Sequence, residues 1–263
     1  MDLGLRDRAA IVTGASRGIG RHVALGLAAE GCAVLLCARD ADALATVVAQ
    51  VGAAGGSAVA VRVDVTDPAA ADQIVTECQR AFGRLDVLVN NAGGAAPKAL
   101  AELTAHDWQA GLELNFLSAA RLAVACAPVM RAAGWGRMVH VASVSGREPD
   151  PLFAPYAAAK AALLNLSTSL SRAFAADGVL SSCVVPGVTI TELVEANALA
   201  SAERADTSVE DVMARMLAKH GVAAGRFGRP EEIAAAVVFL ASEQASWISG
   251  ATLEADGGTL RSV

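Results

Sequence analysis

Tyr156 and Lys160 stand four residues apart in Tyr-Ala-Ala-Ala-Lys, inside a helix-like run that continues to about Phe174. On a helix, residues at that spacing share a face, so a phenol and an ammonium would project side by side. A phenol titrates near about 10 in water and exchanges protons poorly at neutral pH; a neighbouring cation favours its ionised form and makes it a usable acid or base. Tyr156 is the only tyrosine in the chain. The pair alone also fits an ordinary half-buried aromatic beside a solvated lysine, so its meaning depends on what the other segments bring to it.

Ala9–Thr13 is a short apolar run of the kind that forms a strand buried on both faces. It runs into Gly14-Ala-Ser-Arg-Gly-Ile-Gly20 and then a helical pattern from about Ile19 to Glu30. In a strand-turn-helix unit these glycines have separate tasks. Gly14 permits a tight turn, Gly18 lets a pyrophosphate approach the backbone, and Gly20 lets the helix pack on the strand, while the helix N-terminus offers N–H groups to phosphates. A glycine turn without a ligand is the competing reading.

The alternation continues. A second strand, Ala33–Ala38, ends at Arg39, where folds of this kind read the adenosine ribose: a carboxylate there selects the 2'-hydroxyl, an arginine a 2'-phosphate. Arg39 and Arg17 together favour NADP(H), with NAD(H) still possible; Asp40 is expected to cap the helix Ala41–Ala53 rather than neutralise Arg39. A third strand, Ala58–Val63, leads to Asp64, suited to the adenine amino group or to a helix-entry turn. A helix from Ala69 to Phe82 and a fourth strand, Leu85–Asn90, lead to Asn91-Ala92-Gly93. A long helix from Thr104 to Met130 is expected to hold Asn115 as a buried amide, and a fifth strand from Trp135 to Val141 leads to Ser143, thirteen residues before Tyr156. This order implies an α/β, doubly wound parallel sheet with helices on both faces and ligands at the strands' carboxyl ends.

The bulk properties bound the rest. The 263 residues fit one domain; the net charge of -6 and the lack of a basic cluster argue against a nucleic-acid partner. Five cysteines without Cys-x-x-Cys spacing read as reduced core residues, so neither a disulfide nor a metal site is expected. The longest uninterrupted apolar run, Ile233–Ala241, falls well short of a membrane span, and Met1–Arg8 holds no apolar signal core, which points to a cytoplasmic protein.

With these pieces in order, the chain resembles the short-chain dehydrogenase/reductase family along nearly its whole length. The resemblance rests on Thr13–Gly20, Asp64, Asn90–Gly93, Asn115, Ser143, Tyr156–Lys160, Pro186-Gly187 with Thr191, and Asp256–Gly258. It implies a Rossmann-type, seven-stranded sheet, hydride transfer between nicotinamide and a carbonyl or secondary alcohol, and a homotetramer. It further implies catalytic roles for Asn115, Ser143, Tyr156 and Lys160, with Asn115 positioning a water. Its cofactor contacts would be Gly14, Ser16, Arg17, Gly18, Ile19, Gly20, Arg39, Asp64, Val65, Asn91, Ala92, Gly93, Tyr156, Lys160, Pro186, Gly187, Thr189 and Thr191. Thr189 departs from the Ile that close relatives often carry. Residues 188–225 would form a substrate lid, of which Val209, Val212, Met213, Met216 and Leu217 form an apolar helix face. Within the family the chain looks most like bacterial 3-oxoacyl carrier-protein reductases, so the substrate is a small or acyl-carrier ketone or alcohol. An NAD-dependent alcohol or polyol dehydrogenase and a cofactor-binding regulator without turnover stay open as alternatives. Arg147 and Glu148 are expected near the pocket mouth, as a grip on an acidic substrate or as plain loop charges.

Overall fold

The structure is a computed structural model and describes residues 2–261; Met1 of the amino-terminal segment lies outside them. Seven parallel strands form one sheet in the order β3-β2-β1-β4-β5-β6-β7. They are β1 (Ala9–Thr13), β2 (Ala33–Ala38), β3 (Ser57–Arg62), β4 (Val87–Asn90), β5 (Gly136–Val141), β6 (Val179–Pro186) and β7 (Thr252–Ala255). The strands β1, β2 and β4 are nearly continuous apolar runs because helices cover both faces, and side chains alternate between them; β5 and β6 also bury Arg137, His140, Ser181 and Ser182. On one face Ala10, Val12, Leu36 and Val139 pack with Val23 and Leu27 of α1 (Gly18–Ala29) and Val237 of α9 (Pro230–Leu240). On the other, Ile11, Leu35 and Met138 pack with Ile74 of α3 (Ala70–Phe82), Leu122 and Met130 of α5 (Ser118–Ala132) and Leu170 of α6 (Ala154–Phe174).

Two sequence expectations change. The helix expected over Thr104–Met130 is α4 (Ala105–Leu112), capped by Thr104, then a π-helical turn Glu113–Leu117, then α5. The interruption has a local cause: Asn115 Nδ2 donates to the Gly111 carbonyl four residues back (3.0 Å), taking an acceptor that the α-helical ladder would use. The combined span Ala105–Ala132 is long and apolar enough to cross a membrane by composition, contrary to the count of uninterrupted apolar runs, but here its inner residues pack on the sheet. The segment 188–225 holds two helices, α7 (Glu192–Ala205) and α8 (Val209–His220), where the apolar spacing indicated one. On α6, Leu163 and Leu170 are buried, Leu164, Leu166 and Phe174 half-buried, and small or polar residues (Ala158, Ala161, Asn165, Ser169) face outward.

The amino ends of the strands are tied by a charged knot. Asp86, just before β4, accepts from the Ala9 N–H (2.8 Å), from Arg8 (3.1 Å) and from Arg84 Nε and Nη2 (2.6 and 2.7 Å). Burial pushes its carboxyl up, but the bonds from Arg84, Ala9 and Arg8 outweigh burial and hold it below the ordinary carboxylate range. Arg8 also stacks on Trp135, 3.7 Å from the ring centroid, with Arg137 at 4.3 Å. Removing the carboxylate leaves two guanidiniums and a buried N–H without their acceptor. Asp86→Ala should therefore cost about 3 to 5 kcal/mol in urea unfolding, far above a surface substitution.

Candidate active site

The sheet reverses its winding direction between β1 and β4, and the turns that leave these two strands diverge to either side. Both turns are held by side chains at the strand ends. The Thr13 hydroxyl accepts from the N–H groups of Asn91 and Ala92 (both 3.0 Å) and donates to the Val89 carbonyl (3.3 Å). In return Asn91 Nδ2 donates to the carbonyls of Thr13 (2.9 Å) and Gly14 (3.2 Å). Gly14 and Gly20 fit the turn and packing tasks read from the sequence. Gly14 and Gly18 have φ of +64° and +54°, and a Cβ on Gly20 would lie 2.3 Å from the Gly14 carbonyl oxygen. A turn of this shape with a helix N-terminus behind it suits a dinucleotide's pyrophosphate.

The structure brings Ser143, Tyr156, Lys160 and Asn115 together beyond the carboxyl ends of β4 and β5. Lys160 is buried; its Nζ donates to the Val141 carbonyl (2.7 Å) and lies 5.5 Å from the Tyr156 ring centroid. The Ser143 hydroxyl accepts from the Ser145 N–H (3.1 Å), which leaves its own proton to donate. Asn115 grips the loop after β4: its Oδ1 accepts from Gly94 N–H (2.9 Å) and its Nδ2 donates to the Gly94 carbonyl (3.0 Å). Gly93 threads between these groups, since a Cβ there would sit 2.7 Å from Asn115 Oδ1 and 3.4 Å from Lys160 Nζ.

One expectation is corrected here. Burial pushes the Tyr156 phenol above its ordinary value, with Ser143 pulling the other way, so Lys160 does not depress it in this structure. Burial also pulls the Lys160 amine down, to about 8, and one of its three N–H groups donates to the Val141 carbonyl. The two N–H donors of the Asn115 amide are committed to Gly94 and Gly111.

The remaining site residues lie at the same end of the sheet. Arg17 and Arg39 are exposed. Asp40 caps α2 (Ala41–Ala53) through Ala43 N–H (3.0 Å), as expected. Asp64 accepts from Thr66 N–H and Oγ1 (3.0 and 2.8 Å); those bonds, with a smaller contribution from Arg39, hold its carboxyl below the ordinary value. Val65 and Ala92 line a small pocket with Thr13, and Ser16 and Ile19 are half-buried in the glycine turn and α1. Gly187, after Pro186, lies so close to Asp256 that a Cβ would be 2.8 Å from its Cα. Thr189 is buried and donates to the Gly187 carbonyl (3.1 Å); Thr191 caps α7 through Val194 N–H (3.3 Å). Arg147 does not reach for a ligand, because it pairs with Glu254 of β7, and Glu148 accepts from Arg261 N–H (3.1 Å). Residues that the sequence reading did not single out also matter. The Val141 carbonyl and Gly94 carry no signal of their own, and Glu192, which accepts from Gly18 N–H (2.9 Å), lies 174 residues from its partner.

The family model for the short chain dehydrogenases matches residues 8–201. The chain belongs to that family. It is an oxidoreductase that acts on carbonyl or alcohol groups with a nicotinamide dinucleotide. It is 36% identical to the 3-oxoacyl-acyl-carrier-protein reductase of Escherichia coli over 97% of this chain and 98% of that one. It is 39% identical to the cis-4-hydroxycyclohexanecarboxylate dehydrogenase of Sinomonas cyclohexanicum over 96% of each. Among solved structures, the L-sorbose reductase of Gluconobacter frateurii, complexed with NADPH and L-sorbose, superimposes with a TM-score of 0.96 at 33% identity over 100% of both chains.

The lowered Lys160 amine has a consequence for stability. The unfolded chain holds this proton up to about 10.5, the folded one only to about 8, so stability attributable to Lys160 rises as pH climbs through that window. Below it the buried charge costs about 3 kcal/mol. Lys160→Met should accordingly gain on the parent chain at pH 7 and lose that gain by pH 10; equal pH slopes in urea unfolding would contradict the assignment.

Proposed function

We propose that the chain is an NADP(H)-preferring ketone reductase for a small organic or carrier-bound acyl substrate, able to run in the alcohol-oxidising direction. The observation that carries this reading is the convergence of Ser143, Tyr156 and Lys160 beside a glycine turn shaped for a pyrophosphate. When bound, the nicotinamide supplies the hydride. Tyr156 donates the proton to the substrate oxygen; its raised phenol is protonated at neutral pH, the form that a reduction requires. The free proton of Ser143 bonds the same oxygen and stabilises the charge that develops there. Lys160, fixed by the Val141 carbonyl, holds the ribose hydroxyls and gives the phenolate a neighbouring cation. Asn115 fixes the loop beside Lys160 through Gly94 and positions the water that links Lys160 to solvent.

The segment 188–225 acts as a lid within a single domain. Its α8 has Val209, Val212, Met213, Met216 and Leu217 half-buried on one face, and Lys219 bonds Asp150 in the loop before Tyr156 (2.5 Å). A homotetramer is supported by exposed Leu117 in the π-helical turn and Val124 on α5, and by exposed Trp247 and Leu253 near the outer strand. The five buried, free thiols support a reducing, cytoplasmic setting.

Tyr156→Phe should abolish turnover in a ketone panel while NADPH still binds, because only the proton-exchanging hydroxyl is lost. Activity near that of the parent would end the assignment.

Cofactor choice follows from β2, which ends at Ala38 and Arg39 without a carboxylate, while Asp40 is committed to capping α2. A charge-assisted contact of about 1.5 to 3 kcal/mol corresponds to a tenfold to hundredfold preference. In kcat/KM the parent chain should favour NADPH over NADH by that factor, Arg39→Ala should lose most of it, and Ala38→Asp should reverse it. Equal use of both cofactors by the parent would remove the preference from this reading.

A further inference from the structure

The first turn of α1 is the natural landing place for a dinucleotide phosphate, yet its cap comes from another part of the chain. Arg17, the N-cap residue, makes no side-chain capping bond, and the first turn of α1 contains no acidic residue. The carboxylate of Glu192, the first residue of α7, fills that role by accepting from Gly18 N–H at 2.9 Å. Its other oxygen lies 3.9 Å from Arg21 of α1. Thr191 closes the contact from the side: a Cβ on Gly18 would meet its methyl at 3.2 Å and the Glu192 carboxylate at 3.7 Å. The Glu192 side chain is half exposed at 49%, so it can leave this position without opening the core.

We propose that Glu192 is an affinity-setting residue that competes, from inside the chain, with the cofactor's pyrophosphate for the N–H of Gly18. The proposal rests on the reading of the glycine turn as a dinucleotide site. A carboxylate and a phosphate are both anions that seek the positive end of the same helix, and one N–H cannot serve both at full strength. Binding the dinucleotide therefore requires Glu192 to withdraw, and Arg21, already within 4 Å, is the cation it meets as it does so. Because Glu192 opens α7, its withdrawal also frees the base of the helix pair in 188–225. Linkage makes this reciprocal: whatever holds Glu192 on Gly18 weakens the cofactor, and whatever draws it away tightens the cofactor.

The test is the dissociation constant for NADPH, measured by titration calorimetry on the full chain as parent, Glu192→Ala, Glu192→Gln and Glu195→Gln. Glu195 is the other first-turn acid of α7 and serves as a charge-matched control. Adenosine 2'-phosphate, which lacks the pyrophosphate, is titrated beside NADPH. Glu192→Ala should bind NADPH about tenfold more tightly, with Glu192→Gln in between. Glu195→Gln should match the parent, and adenosine 2'-phosphate should bind all four alike. Equal NADPH constants for the parent and Glu192→Ala would overturn the proposal and leave the dinucleotide reading standing. Equal tightening by Glu192→Gln and Glu195→Gln would overturn it as well, since general charge would then explain the effect. A parent chain that binds neither NADPH nor NADH would remove the dinucleotide reading itself.

Discussion

The hydroxyl of Thr13 and the amide of Asn91 hold together the one place where the sheet must part. A doubly wound sheet opens between the two strands at which its winding reverses, and the opening exposes backbone groups that lack sheet partners. Here those groups bond to each other's side chains across the gap: Thr13 serves the N–H groups beyond β4, and Asn91 serves the carbonyls beyond β1. The crevice is therefore rigid before anything enters it. Each turn takes its shape from the opposite strand, so the glycine turn after β1 and the loop after β4 are positioned by the same few bonds.

A second layer of polar bonds lies under Tyr156 and Lys160. His140 on β5 is buried and lies between Asn90 (3.1 Å) and Ser181 (3.3 Å), and Ser181 in turn meets Ser167 of α6 (3.0 Å). Burial, with the nearby Lys160, lowers the imidazole to about 4, so it stays neutral at physiological pH. A neutral ring can accept at one nitrogen and donate at the other, as a bridge between an amide and a hydroxyl requires. This chain of bonds ties β4, β5, β6 and α6 together below Tyr156 and Lys160. Polar groups so placed specify one alignment of the helix on the sheet, which apolar packing alone does less sharply.

Much of this was legible in the sequence because the signals were local. Buried strands read as apolar runs ending in glycine or asparagine, and β1, β2 and α2 fall where the pattern put them. The Tyr156–Lys160 spacing and the glycine turn carry their chemistry in a few consecutive residues. What was not legible depends on partners far apart in the chain. The π turn at Asn115 arises because a side chain takes a backbone acceptor, which helical periodicity does not report. The low amine value of Lys160 comes from burial, and burial is decided by the fold. The pairing of Arg147 with Glu254 joins residues 107 positions apart; without it, Arg147 reads as a pocket-mouth charge. The helix α7 has a weak apolar stripe and opens with acidic residues, so it was passed over together with the contact its first residue makes.

The fastening of the Ser143–Tyr156 loop has a mechanical side. Arg147 is clamped to Glu254 on the outermost strand, Glu148 to the backbone of Arg261, and Asp150 to Lys219 of α8. Three anchors within four residues make the loop a strut between the margin of the sheet and the helix pair above the crevice. Force applied at the margin is transmitted along that strut to the serine hydroxyl, which has little slack of its own. The placement of the Ser143 hydroxyl thus inherits the stiffness of the β7 edge, and softening that edge would blur the alignment of Ser143 with Tyr156 without touching either residue.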